Sequence, residues 1–242
     1  MTHPQAAAGG AGERQTGFRH FHEQLSELKQ RLLDMSERAE SLIDLAVESL
    51  RERDAGKAEA VLAADHELDD LEVEVEQRAI SLLALQQPMA RDLRFIVGAI
   101  KISSDLERVG DHAVNIAQCT LRLRDVTSVL SLGLEIDEMA RRARQMLDDA
   151  LDAFIRADGT LGREVCRRDD EVDALEETTF RVLLTHMMEN PSTISSALQL
   201  LLVSRNLERV ADLATNIAED AVYLAEGKQI KHHFEERASK AR

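Results

Sequence analysis

Tryptophan is absent from this 242-residue chain, aromatic residues make up only 3% of it, and there are 3 prolines and 11 glycines. Helix breakers are scarce while Ala, Leu, Glu, Arg and Asp abound, so the composition favours helices almost throughout and an all-α fold. With 44% hydrophobic and 31% charged residues, the chain is too apolar to stay disordered and long enough for one large or two small domains. It also lacks a basic excess. The formal charge of −15 repels phosphate backbones and anionic lipid, which argues against direct nucleic-acid binding and leaves membrane association to partners. Cys119 and Cys166 stand apart with no C-x-x-C pattern and read as reduced small hydrophobes in a cytosolic protein. No apolar run, such as those at 79–85 and 198–203, approaches the length of a membrane span. No basic segment followed by an apolar core opens the chain, so a cytoplasmic location is expected. Phosphate-loop, dinucleotide, nucleophile-elbow and H-E-x-x-H motifs are all missing, and no enzyme class is indicated.

What is present is a repeat. Residues 103–117 read SSDLERVGDHAVNIA and residues 204–218 read SRNLERVADLATNIA, with ten of fifteen positions identical and Glu208 lying 101 residues after Glu107. That spacing is too long for a solenoid and suits a duplicated domain. The duplication extends upstream at a spacing of 104. Met35, Ala39, Asp44, Ala46 and Asp54 recur as Met139, Ala143, Asp148, Ala150 and Asp158, and DHELDDLE at 65–72 answers to DDEVDALE at 169–176. The second copy has therefore lost three residues, and the turns at Pro88 and Asn190-Pro191 are where a deletion costs least.

Apolar residues alternating at spacings of three and four from Phe18, and again from Ile136, mark long helices built for helix-on-helix packing. A break at Asp54-Ala55-Gly56 separates helix one from helix two. Pro88 is expected in the first turn of helix three, and Asn190 as an N-cap with Pro191 at N1. The expected architecture is six long helices in two tandem, pseudo-symmetric three-helix bundles, at 18–127 and 128–227, joined by a short connection at 125–133. A flexible leader (1–17) and a mildly basic tail (228–242) flank them.

Leu106, Val109, Ala113 and Ile116, repeated as Leu207, Val210, Ala214 and Ile217, form an apolar seam that packing explains. The other repeated residues are Ser103, Glu107, Asp111 and Asn115, with Ser204, Glu208, Asp212 and Asn216. They follow i, i+4, i+8, i+12 spacing, a polar line expected roughly opposite the seam. Glu107 and Asp111 would meet Asp65 and Asp69 of helix two, while Glu208 and Asp212 would meet Asp169 and Asp173. Each set supplies four hard oxygen ligands suited to a divalent metal. Arg108 and Arg209 adjoin these carboxylates and could pair with them or receive an anion. For a lone E-x-x-x-D, a solvated acidic face is the simpler reading. Retention in two diverged copies favours function, either as a metal site or as a protein-docking strip. His112, whose counterpart is Leu213, reads as a surface or packing residue. No Glu-x-x-His pair suggests a ferritin-like centre.

At LERVGDHAVNIA the chain resembles the PhoU family, regulators of phosphate uptake in bacteria and archaea. The second, weaker copy, the two three-helix bundles and the chain length fit the same resemblance, which spans Phe18 to about Phe234. It implies a non-catalytic cytoplasmic adaptor that keeps the phosphate-starvation regulon off when phosphate is plentiful. The implied partners are the ATPase subunit of the phosphate ABC transporter and a membrane-bound sensor histidine kinase, with a homodimer left open. The family's E(D)-x-x-x-D motifs match Glu107/Asp111 and Glu208/Asp212. Some members carry metal there, so iron, zinc, magnesium or another divalent ion is implied. Arg108, Asn115, Arg209 and Asn216 are the matching candidates for partner contacts. Ala211 and Leu213 replace Gly110 and His112 in the second copy, so its metal differs or is absent. More distant relatives suggest an alternative, an accessory regulator of a low-affinity, ion-coupled phosphate transporter.

Overall fold

The computed structural model describes residues 10–123 and 135–230, with side chains from residue 20 onward. The expected leader as far as residue 9, the whole connection at 125–133 and the tail beyond residue 230 lie outside the described residues. The helices are α1 (Gly10–Glu52), α2 (Ala55–Ala64), α3 (His66–Gln86), α4 (Ala90–Leu123), α5 (Ile136–Arg156), α6 (Gly159–Glu189) and α7 (Ile194–Glu226), with a 3₁₀ turn at Pro191–Thr193. Helix α1 thus starts ahead of Phe18. Helices α2 and α3 are one rod interrupted at Asp65, whose φ of −57° and ψ of −44° remain helical. Counted as rods, the six expected helices are there.

The turn between the first and second rods is built the same way twice. Arg53 and Ala157 take left-handed backbone, with φ of 57° and 53°, and reverse the chain. Asp54 then caps α2 by accepting from the Gly56 and Lys57 amides at 2.8 and 3.2 Å. Asp158 caps α6 by accepting from the Thr160 and Leu161 amides at 2.9 and 3.1 Å. Each cap satisfies amides the helix leaves open and contributes about 1 kcal/mol.

The next turn differs between the halves, and here the expectation for Pro88 is corrected. Pro88 precedes α4, which starts at Ala90, because Gln87 and Ala90, both at positive φ, bend the chain before the helix can begin. Asn190 holds the N-cap position of the 3₁₀ turn with Pro191 following it, as expected, but makes no side-chain cap bond, since its Oδ1 accepts from the Ser192 hydroxyl at 2.7 Å. The second copy is shorter next to this turn, since α4 begins at Ala90 and α7 at Ile194, three residues nearer to its own Leu207 than Ala90 is to Leu106.

Each half folds up, down and up. Arg78 meets Glu27 at 3.0 Å and Arg38 meets Glu67 at 2.6 Å, so α3 runs antiparallel to α1. Lys29 lies over the Phe95 ring at 5.2 Å and Ser49 donates to Thr120 at 3.1 Å, so α4 returns parallel to α1. Side chains of the three-and-four stripes fill the core: Leu28, Leu32, Met35 and Leu42 of α1, Met139 and Phe154 of α5, and Leu106, Ile116, Leu207 and Ile217 of α4 and α7 are buried.

The two bundles meet chiefly through α4 and α7. His112 faces Asn206, Lys101 faces Asp220, Arg122 faces Gln199 and Arg94 reaches the Leu224 carbonyl. Numbers rise on one helix as they fall on the other, so the two pseudo-equivalent helices cross antiparallel, with the duplicated Val109 and Val210 level near the middle. Beside them Arg144 of α5 bridges to Glu40 and Asp44 of α1 at 3.5 and 3.4 Å. No helix among the described residues is long and apolar enough to cross a membrane.

Candidate functional site: two acidic clusters on duplicated helices

Helix α4 passes close to the α2–α3 junction because Gly110 lacks a side chain. A Cβ there would lie 2.6 Å from Leu68 Cδ1 and 3.3 Å from Asp65 Oδ1. This approach brings Asp65 and Asp69 of the second rod beside Glu107 and Asp111 of α4. The resulting field is visible on Glu107, whose carboxyl is pushed up to about 7 by burial and by the negative charges of Asp111, Glu72, Asp69 and Asp65. Asp65 is raised as well, by burial first and then by Asp69 and Asp111. Like charges gathered without a counter-cation destabilise the ionised form, and a bound cation would relieve that cost.

The second half repeats the arrangement. Asp169 is pushed up to about 6 by burial and by Asp173 and Asp212, while the nearby Thr215 hydroxyl favours its charged form. Glu208 is raised by burial and Asp212, with Arg209 opposing and Asp173 and Glu176 adding. Asp169 Oδ1 and the Thr215 hydroxyl are buried without a hydrogen-bond partner, although the two side chains adjoin. A buried carboxylate oxygen left without a well-formed hydrogen bond suits a cation or a water. In place of Gly110 stands Ala211, fully buried, so the helices here accommodate a methyl group.

Glu72 and Glu176 join the clusters from outside the expected pairs. They extend each acidic row from i, i+4 to i, i+4, i+7 on the second rod, and both occur in the duplicated eight-residue strings. The polar line was also partly misplaced, because Ser103 and Ser204 are fully buried and donate to the Ile100 and Leu201 carbonyls at 2.9 and 3.0 Å. Steps of four residues advance about 40° beyond one full turn each. A line twelve residues long therefore winds from the core at Ser103, through half-buried Glu107, to exposed Asp111 and Asn115. In the second copy Asp212 and Asn216 are half-buried.

Arg108 and Arg209 are exposed and do not clamp the clusters tightly. Arg108 lies 3.6 Å from Asp105 and Arg209 lies 3.7 Å from Glu208, contacts long enough to be yielded to another partner. His112 is half-buried and hydrogen-bonds Asn206 at 2.9 Å, the packing role expected for it.

The donor set of each cluster is all carboxylate, which fits hard divalent cations such as magnesium or manganese better than thiolate-seeking metals. Among the described residues no three His, Cys, Asp or Glu side chains stand together at metal-ligand spacing, so a cation would have to draw these carboxylates inward.

Comparison with known proteins agrees with the duplicated architecture. The PhoU domain model matches residues 32–120 and again 136–221. A protein of Clostridium acetobutylicum named phosphate-specific transport system accessory protein PhoU homolog is 40% identical over 211 residues, 87% of this chain and 96% of that one. Its namesake from Aquifex aeolicus is 40% identical over 215 residues, 88% of this chain and 97% of that one. The crystal structure of PhoU from Pseudomonas aeruginosa matches with a TM-score of 0.82 and 35% identity, over 86% of this chain and 100% of that one. With the signature helix, the tandem bundles and both domain matches in agreement, the chain belongs to the PhoU family.

Proposed function

We propose that this protein is an accessory regulator of a phosphate transport system, acting by binding rather than by catalysis. Its work is to lower phosphate uptake and keep the phosphate-starvation response off while phosphate is plentiful. The observation that carries this reading is the retention of both acidic clusters on pseudo-equivalent helices. The names of the relatives support it, since they describe accessory proteins of phosphate-specific transport.

In this reading the protein is a cytoplasmic adaptor between the ATPase subunit of the transporter and a sensor histidine kinase, and it reaches the membrane through them. Glu107, Asp111, Asp65, Asp69 and Glu72 form one docking face, and Glu208, Asp212, Asp169, Asp173 and Glu176 the other. Arg108 and Arg209, held only by long ion pairs, are free to exchange those contacts for a partner's carboxylates. A hard divalent cation on each face would neutralise the carboxylates that now repel one another and fix their orientation.

The test is alkaline phosphatase activity in phosphate-replete cells lacking this chain, with the intact gene or a Glu107→Ala/Asp111→Ala variant restored. The expectation is high activity without the chain, repression by the intact gene and weak repression by the variant. Full repression by a folded variant would refute the role of the first cluster. Unchanged activity on deletion, with altered phosphate uptake, would favour regulation of an ion-coupled transporter instead.

A further inference from the structure

Away from both acidic clusters, a cleft of about 190 Å³ opens at one end of the α4–α7 seam, lined by Leu93, Arg94, Val97, Gly98, Lys101, Asp220 and Tyr223. Leu93 and Val97 form its apolar lip and are 41% and 40% exposed. Its charges run against the rest of the molecule. In a chain of net charge −15, the cleft holds two cations and one carboxylate, and Lys101 is already engaged with that carboxylate, Asp220, at 3.5 Å. Arg94 is not neutralised in this way. Its Nη2 donates to the Leu224 carbonyl at 3.3 Å, its Nε is buried with no hydrogen-bond partner, and no carboxylate among the described residues pairs with it. A buried guanidinium N–H left without an acceptor is costly, and an incoming anion would satisfy it.

The opposite end of the seam shows how the cleft arises. The counterparts of Gly98 and Tyr223 are Gln199 and Arg122, and these two side chains bond to each other at 3.3 Å, spanning the equivalent place. At Gly98 no side chain can do so, because a Cβ would lie 2.7 Å from the Phe154 ring, which itself stacks on Phe95 at 5.0 Å. The space is therefore held open by a packing constraint from α5.

We propose that this cleft binds a small amphipathic anion, with its apolar body between Leu93, Val97 and Tyr223 and its anionic head on Arg94. Apolar walls with a few convergent polar groups are the usual make-up of a small-molecule site. The site is independent of the acidic clusters and of the adaptor role.

The test is titration of the full-length protein with 8-anilinonaphthalene-1-sulfonate, followed by fluorescence and competed with octanoate. Saturable one-to-one binding that octanoate displaces is expected. Arg94→Met and Val97→Glu should each weaken it roughly tenfold or more, while Leu198→Glu, the counterpart of the Val97 change, leaves it intact. Val97 is an exposed position, so its variant is informative even if Arg94→Met fails to fold. Absence of saturable binding, failure of octanoate to compete, binding unaffected by Val97→Glu, or equal loss with Leu198→Glu would each overturn the proposal.

Discussion

His112 Nδ1 lies 2.9 Å from Asn206 Oδ1, joining the last helix of one bundle to the last helix of the other. Asn206 Nδ2 donates to the Leu202 carbonyl at 2.7 Å, which turns its Oδ1 toward the imidazole, so Nδ1 must carry the proton. Burial holds the His112 pKa below its ordinary value, and the neutral ring serves as donor at neutral pH. His112→Ala and Asn206→Ala should each cost about 1 kcal/mol. Urea denaturation of both single variants and the double variant should show the losses to be less than additive.

The acidic clusters predict a stability that falls as pH rises. Glu107 lies above its ordinary 4.5, at about 7, and Asp169 above its ordinary 3.8, at about 6. The folded protein thus binds protons that the unfolded chain has released, and that stabilisation is complete below the ordinary values and lost as pH rises through the raised ones. Thermal melting of metal-free protein should show the decline between about pH 4 and 7. Glu107→Gln should flatten it and raise the melting temperature on the alkaline side.

A hard divalent cation should reverse that trend. Magnesium or manganese at a hundredfold excess over its dissociation constant would stabilise the fold by about 2.7 kcal/mol per site. The gain should shrink in Glu107→Gln/Asp111→Asn and separately in Asp169→Asn/Asp212→Asn. Equal gains in wild type and both variants would place the ion elsewhere.

Arg53 and Ala157 each hold left-handed backbone with a side chain that disfavours it. Replacing either by Gly should stabilise the protein by up to about 1 kcal/mol. Gly162→Ala should do the opposite, because its Cβ would stand 2.8 Å from the Ala218 backbone carbonyl and the main chain of α7 cannot step aside. Overpacking of this kind costs about 1–3 kcal/mol. Chemical denaturation reads both effects.

The helices and their pairing were legible because three-and-four spacing and the duplication both report directly on buried faces. Asp54 and Asp158 announced their turns through the same repeat. The failures occurred where local geometry overrules spacing. Ser103 and Ser204 share the four-residue spacing of a polar face, but the drift of that step carries them into the core. Glu72 and Glu176 stand seven residues beyond Asp65 and Asp169 and escape a four-residue spacing, though seven residues also return to the same side of a helix. The positive φ of Gln87 and Ala90 leaves no mark in the residue types, so spacing alone cannot tell that the helix starts after Pro88.

Crossing two copies of one helix antiparallel gives the contact an isologous character, the kind a pair of identical subunits makes about a two-fold axis. Within a single chain that symmetry no longer has to be obeyed. His112 faces Asn206 where the mirrored positions hold Leu213 and Asp105, and Lys101 faces Asp220 where they hold Leu202 and Cys119. A true dimer would present the same chemistry at both ends of its axis and could be approached either way round. This chain presents a different end in each direction, so whatever binds along the seam must arrive in one orientation.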